Sequence, residues 1–333
     1  MGAKRNNRLQ VKAILKRYRN ASKTGEWWKP PWWLKFRDSC CTTKKRVEDA
    51  FKELINTFDA KWFLDQKNNN FSHGLAKLLL MEGAYPFQIL CSLGRDLYTL
   101  HKASLPKKRK DLVRRIKNPN EHWESAVFEL RLISHFLSHG FNIEPDYRTG
   151  KGKRGKATCD LRVSKADEVY FIEIKRPREL HGRNKEIYKK NVNEANHTLK
   201  NGKSGVFVGN SFSIKTELKA IFKLVYHAVR HQLPSHGASC VVVESIWDWP
   251  FDNFEAFKKM AMRRFTGRHK DTYRNLCFIA IIKYSFDHEK LEPQPQLKIV
   301  ENPNTNMVAP CSSLIRIFNK LFRRPRFSFP LKT

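Results

Sequence analysis

Between residues 121 and 176 the hydrophobic pattern changes from a helical period to three strand-like runs in succession, and no other stretch limits the fold as tightly. Residues 121–139 repeat apolar side chains at helical spacing and stop at Gly140, a residue suited to ending a helix. Strand-like runs follow at 141–148, 157–164 and 168–176. Only the polar turn from Ser164 to Glu168 separates the last two, so an antiparallel hairpin is expected there. A polar helical stretch at 184–200, a buried strand at 205–208, a helix at 214–231, a strand at 240–246, a helix near 253–265 and a strand at 276–284 continue the series. Helices and strands in alternation imply an α/β sheet covered by helices. A short basic amphipathic helix, 312–322, closes the chain, and there is no internal repeat.

Upstream the pattern is helical. Val47, Phe51, Leu54 and Phe58 form one stripe of a helix expected over 44–65, and 73–103 reads as one or two more. Lys107–Lys110 reads as a charged linker, and Asn118-Pro-Asn120 supplies a turn and a helix N-cap. The chain is therefore divided into a basic, mainly α-helical region, 1–118, and an α/β domain with a C-terminal extension, 119–333. Residues 1–25 carry eight Lys or Arg and no acid, and Trp27, Trp28, Trp32 and Trp33 follow. The tryptophans suit either base stacking or packing onto a neighbouring core.

Charge bears on function rather than fold. Lys and Arg number 64 against 32 acids, a net charge of +32. Such a field concentrates polyanions, and each neutralised phosphate releases condensed counterions. Nucleic acid is the expected partner, DNA ahead of RNA, and a homodimer or a protein partner is compatible with the sequence. The 41% of hydrophobic residues excludes a wholly disordered basic protein. Seven cysteines without a CxxC pair give neither a disulfide framework nor a zinc ribbon, and are read as reduced thiols. Neither an apolar run of membrane-spanning length nor a secretory signal is found, so a cytoplasmic protein with no membrane association is expected.

Asp160 opens the first strand of the hairpin, and Glu173 and Lys175 stand near the end of the second. Side chains alternate faces along a strand, so Glu173 and Lys175 point one way and Ile172 and Ile174 the other. Two carboxylates and an ammonium then share one patch. Hard oxygen donors suit Mg²⁺ or Mn²⁺ with water positions left open. Such an ion polarises a phosphoryl oxygen and acidifies a bound water, while a nearby lysine stabilises growing charge. An ordinary strand edge with a surface Glu–Lys pair has the same pattern. A third carboxylate, Glu129, falls with Ile133, Phe136 and Gly140 on the inward stripe of the preceding helix, and a buried carboxylate needs a partner. His227 and His231, four apart without an accompanying HExxH glutamate, read as helix surface rather than zinc ligands.

Glu129, Gly140, Asp160 and Glu173-Ile174-Lys175 together resemble the PD-(D/E)xK nuclease superfamily, which includes restriction endonucleases and archaeal-type Holliday junction resolvases. The resemblance implies a restriction-endonuclease-like αβββαβ core with a mixed sheet over 121 to about 210. It implies metal-dependent hydrolysis of phosphodiesters. Asp160, Glu173 and the Ile174 carbonyl would be ligands of Mg²⁺ or Mn²⁺, Lys175 the water-orienting base, and Glu129 a direct or indirect holder of the ion. Cys159 stands where the superfamily usually has proline, and Pro145-Asp146 offers a second match, although Asp160 fits the hairpin better. Lys151, Lys153, Arg154 and Lys156 in the loop before Asp160, with Arg176 and Arg178 after Lys175, are the expected phosphate-gripping residues. The rival readings are a nuclease-like protein that binds nucleic acid without cutting it, and a nuclease acting on RNA.

Overall fold

The computed structural model of the chain describes residues 44–59, 61–62, 65, 73–80, 84–118, 123–151, 155–177, 186, 213–245, 252–286 and 293–322. It is an α/β fold in which, among the described residues, eight α-helices accompany a six-stranded mixed sheet. The basic arm, the tryptophan cluster and the elements expected at 184–200 and 205–208 lie outside the described residues. The chain divides into two compact units, residues 1–140, 284–294 and 326–333, and residues 141–283 and 295–325.

The first unit holds α1 (Lys44–Thr57), α2 (Gly74–Leu80), α3 (Ala84–Lys102), α4 (Pro106–Lys117) and α5 (Trp123–Ser138). The expected stripe of Val47, Phe51, Leu54 and Phe58 is buried, and α1 lies close against α3. Gly94 permits that approach, because a β-carbon there would collide with the Ala50 carbonyl. Lys107–Lys110 is not a linker but the first turn of α4. Pro106 starts that helix, and Leu112 and Ile116 bury its inner side. The run of four basic residues concealed this short amphipathic pattern. The unit boundary falls after Gly140 rather than near 118, because α5 shares buried polar contacts with the helices before it. The Arg131 guanidinium pairs with Asp96 at 3.4 Å and donates to Ser92 at 3.1 Å. Gly140 ends the segment with a left-handed φ of 76°.

The strands are β1 (Asn142–Arg148), β2 (Thr158–Lys165), β3 (Glu168–Lys175), β4 (Ala238–Glu244), β5 (Leu276–Phe286) and β6 (Pro293–Glu301), and they lie in chain order across the sheet. The first three pair antiparallel, and β3–β4 and β4–β5 pair parallel. Among the described residues the strand that pairs parallel with β3 is Ala238–Glu244, and the described elements from Trp123 to Glu244 follow the order helix, three strands, helix, strand. Helix α6 (Ile214–His227) and a π-helical turn (Ala228–Gln232) connect β3 to β4, and α7 (Phe254–Thr266) connects β4 to β5.

In the second unit both faces of β3 are enclosed. Phe171 enters an apolar cluster with Leu218, Ile221 and Phe222 of α6, Phe257 and Phe265 of α7, and Val241 of β4. Glu173 and Lys175 share the Phe171 side of the strand, so helices cover their face instead of leaving an open patch. On other elements of this unit, Phe318 of α8 (Val308–Phe322) meets Phe278 edge-on, with ring centroids 5.1 Å apart. Cys277 and Cys311 form a disulfide, which corrects the reading of all cysteines as free thiols. They are 34 residues apart, and only the packing of α8 near β5 joins them.

Candidate functional site

Backbone hydrogen bonding builds the site. The β2–β3 ladder runs through Leu161–Ile172, and continuing that register places Asp160 opposite Glu173. There the carboxylates take over the ladder. Glu173 Oε2 accepts the Asp160 N–H at 3.1 Å, and Asp160 Oδ2 accepts the Ile174 N–H at 2.7 Å. Each side chain thus fixes the other's strand, and two carboxylates are held side by side with little rotational freedom.

Glu173 is fully buried. Its Oε1 receives the Lys175 ammonium at 2.5 Å, and the same ammonium donates to Gln232 Oε1 at 2.8 Å. Burial pushes the Glu173 carboxyl above the ordinary carboxylate range; the Lys175 charge and the hydrogen bonds from Lys175 and Asp160 only partly offset this. The neighbouring Cys159 thiol is pushed up to about 12 by burial and by Glu173 and Asp160, so it stays protonated.

Gln232 escaped sequence analysis. It ends the π-helical turn, in which Leu233 N–H reaches the Ala228 carbonyl at 2.9 Å, and that widened turn presents its amide to Lys175. A π turn leaves no mark in hydrophobic periodicity, and such turns are frequent at functional sites. The Gln232 oxygen also lies 3.3 Å from His227 Nδ1. An amide oxygen only accepts, so this His227 nitrogen must carry the hydrogen.

The other expected residues are placed differently. Glu129 is inward-facing, but its partners are Lys108 at 2.6 Å and Arg115 at 2.7 Å within the first unit, so its burial is no argument for a metal ion. Lys151 does not project as a phosphate grip. It is half-buried, donates to the Val229 carbonyl at 3.2 Å, and is lowered from the usual lysine range by burial. Arg176 pairs with Glu244 at 3.0 Å where β3 and β4 end side by side. Lys156 is exposed. Lys153, Arg154 and Arg178 lie outside the described residues. Asp146, the competing match, is exposed on β1 with a left-handed φ of 54°, in the register position facing Asp160.

Among the described residues no three His, Cys, Asp or Glu side chains form a metal-binding group. Asp160 and Glu173 nevertheless have the chemistry a hard divalent ion requires. They are fixed oxygen donors, the buried member also holds an ammonium, and its burial raises it above the ordinary carboxylate range. Mg²⁺ commonly takes only one or two carboxylates and completes its shell with water and substrate oxygens. Among the described residues no helix is long and apolar enough to cross a membrane. Comparisons with protein-family models, with curated proteins and with solved structures find no match to the chain.

Proposed function

We propose that this protein is a metal-dependent nuclease of the PD-(D/E)xK type, hydrolysing phosphodiester bonds in DNA. The observation that carries the reading is the interlocked pair of Asp160 and Glu173, with Lys175 bound to the buried member. The order of the described elements from Trp123 to Glu244, helix, three strands, helix, strand, supports it, because Asp160 stands on the second strand and Glu173-Ile174-Lys175 on the third. Asp160 and Glu173, with the Ile174 carbonyl, would hold Mg²⁺ or Mn²⁺, whose chemistry when bound is to polarise a phosphoryl oxygen and acidify a water. Lys175 orients the attacking water and stabilises the charge that grows on the phosphate. Gln232 accepts from the same ammonium as Glu173, so Lys175 is held at two points. The net charge of +32 draws the polyanionic substrate to the protein.

One observation favours a second reading, a nuclease-like protein that binds without cutting. Glu129 is neutralised by two cations, which leaves two acids rather than three for the ion. Incubation with supercoiled plasmid, linear DNA and RNA, in Mg²⁺, Mn²⁺ or EDTA, separates the cases. Cutting of DNA that EDTA abolishes and that Asp160→Ala and Lys175→Ala both remove is the expected result. Cutting that survives both substitutions would overturn the site, binding without cutting in either metal would favour the second reading, and cutting of RNA alone would move the substrate.

A further inference from the structure

Two exposed histidines, His227 at the end of α6 and His231 in the π-helical turn, have ring centroids 4.9 Å apart and planes tilted by 47°. By spacing alone they are helix surface. The structure adds two observations, and the first is the tautomer of His227. Its Nδ1 lies 3.3 Å from Gln232 Oε1, and that oxygen also accepts from the Lys175 ammonium at 2.8 Å. An ammonium has only hydrogens to give, so the Gln232 atom that meets both partners must be the oxygen and not the amide nitrogen. In the neutral His227 ring the hydrogen is therefore on Nδ1, and Nε2 carries the lone pair.

The second observation is the separation of the rings. A zinc-like ion lies about 2.0–2.1 Å from an imidazole nitrogen along its lone pair, hence roughly 3.2 Å from the ring centre. Two rings sharing one ion then stand roughly 4.5 Å apart when their bonds meet at a right angle, and roughly 5.2 Å apart at the tetrahedral angle. The 4.9 Å between His227 and His231 falls between these values. A metal-bound histidine is also usually supported by an acceptor on its other nitrogen, which fixes the ring and raises its basicity. Gln232 supplies that acceptor to His227.

We infer that His227 and His231 form a binding site for a divalent cation of the Zn²⁺, Ni²⁺ or Cu²⁺ class, with Gln232 positioning His227. Two imidazoles give the nitrogen donors these ions favour and leave the other coordination positions to water or to an oxygen of a bound ligand. The site does not depend on the nuclease reading. Its donors are nitrogens, whereas Asp160 and Glu173 offer oxygens, and Mg²⁺ and Mn²⁺ favour the latter. One side chain nevertheless joins the two places, since Gln232 meets both His227 and Lys175. An ion on Nε2 draws electrons from the ring and strengthens the Nδ1 hydrogen bond, so the amide that holds Lys175 is itself held more firmly when the pair is loaded.

The test is calorimetric titration of Zn²⁺ into the full chain, with excess Mg²⁺ to fill oxygen-donor sites, at mildly alkaline pH where imidazole is neutral. The titration is repeated with His227→Asn, His231→Asn, Gln232→Ala and Asp160→Ala. Both histidine variants should lose the same one equivalent of Zn²⁺ relative to the wild type. Gln232→Ala keeps both ligands and should retain that equivalent with roughly tenfold weaker affinity, the usual cost of removing an outer support. Asp160→Ala should leave it in place. Both histidines are exposed, and circular dichroism checks that every variant folds. Zinc binding that is unchanged in either histidine variant would overturn the site. Unchanged affinity in Gln232→Ala would reduce it to an adventitious pair of surface rings, and loss of the equivalent in Asp160→Ala would move the ion to the carboxylates; either result also overturns it. None of these outcomes bears on whether the chain cleaves DNA, so the nuclease reading stands or falls separately.

Discussion

Glu129 in the first unit and Glu173 in the second are both buried carboxylates, yet two cations clamp the first and a single ammonium meets the second. Glu129 sits between Lys108, itself 3% exposed, and Arg115, so two cations surround one acid. Glu173 shares one ammonium with Gln232 and lies beside the Asp160 carboxyl. Burial of a carboxylate is therefore not the mark of a site. Under the proposed nuclease reading, the acid clamped by two cations is a structural brace, and the two acids interlocked through each other's backbone are where a further cation would bind.

Substitution should separate the two most sharply at the chemistry. Asp160→Ala or Lys175→Ala should lower the rate of metal-dependent DNA cleavage on the order of 10³-fold, measured as initial nicking of plasmid at saturating Mg²⁺. Glu129→Ala should leave cleavage per folded molecule unchanged and destabilise the fold by about 3–5 kcal/mol in denaturant unfolding, because it strands Lys108 beside a second cation. Loss of cleavage in a folded Glu129 variant would erase the distinction between the two carboxylates.

A pH series sharpens it. A carboxyl raised in the folded state binds its proton more tightly there than in the unfolded chain. Its contribution to stability is then greatest below the ordinary carboxylate range and is lost as pH rises through the raised value. The melting temperature of the metal-free protein should therefore fall as pH rises above about 4.5 through the raised Glu173 range, and Glu173→Gln should flatten that fall. Mg²⁺ should restore stability most at the upper end of that window, where the carboxyl is ionised. A pH dependence unchanged by Glu173→Gln would show that the burial of Glu173 does not set it. The smallest expected effect is Gln232→Ala, roughly a tenfold loss of cleavage rate with nucleic-acid binding unchanged, because the lysine loses its second anchor rather than its charge.

Local signals in the sequence carried the hairpin. Alternation placed Glu173 and Lys175 on one side of a strand, the polar turn required antiparallel pairing, and the register followed. The same logic marked Glu129 as inward but could not see its partners, since Lys108 belongs to a segment whose charge read as a linker. β6 went unread because Pro293 and Pro295 look like strand breakers. At the end of the strand order a missing N–H costs little, and proline is tolerated there. Gln232 and the Cys277–Cys311 pair depend on a π turn and on the approach of distant elements, neither of which has a sequence period. Alternation put Phe171 on the patch side with Glu173 and Lys175, and the α6 and α7 cover that buries it was not legible. The site is consequently more enclosed than alternation alone implies.

The measurement that bears most directly on the charge-balance account is calorimetric titration of Mn²⁺ into the full chain at neutral pH, repeated with Asp160→Ala and with Glu129→Gln. The account predicts a saturable site in the wild type and in Glu129→Gln that Asp160→Ala abolishes. A site that survives Asp160→Ala, or one that disappears with Glu129→Gln in a folded protein, would contradict it.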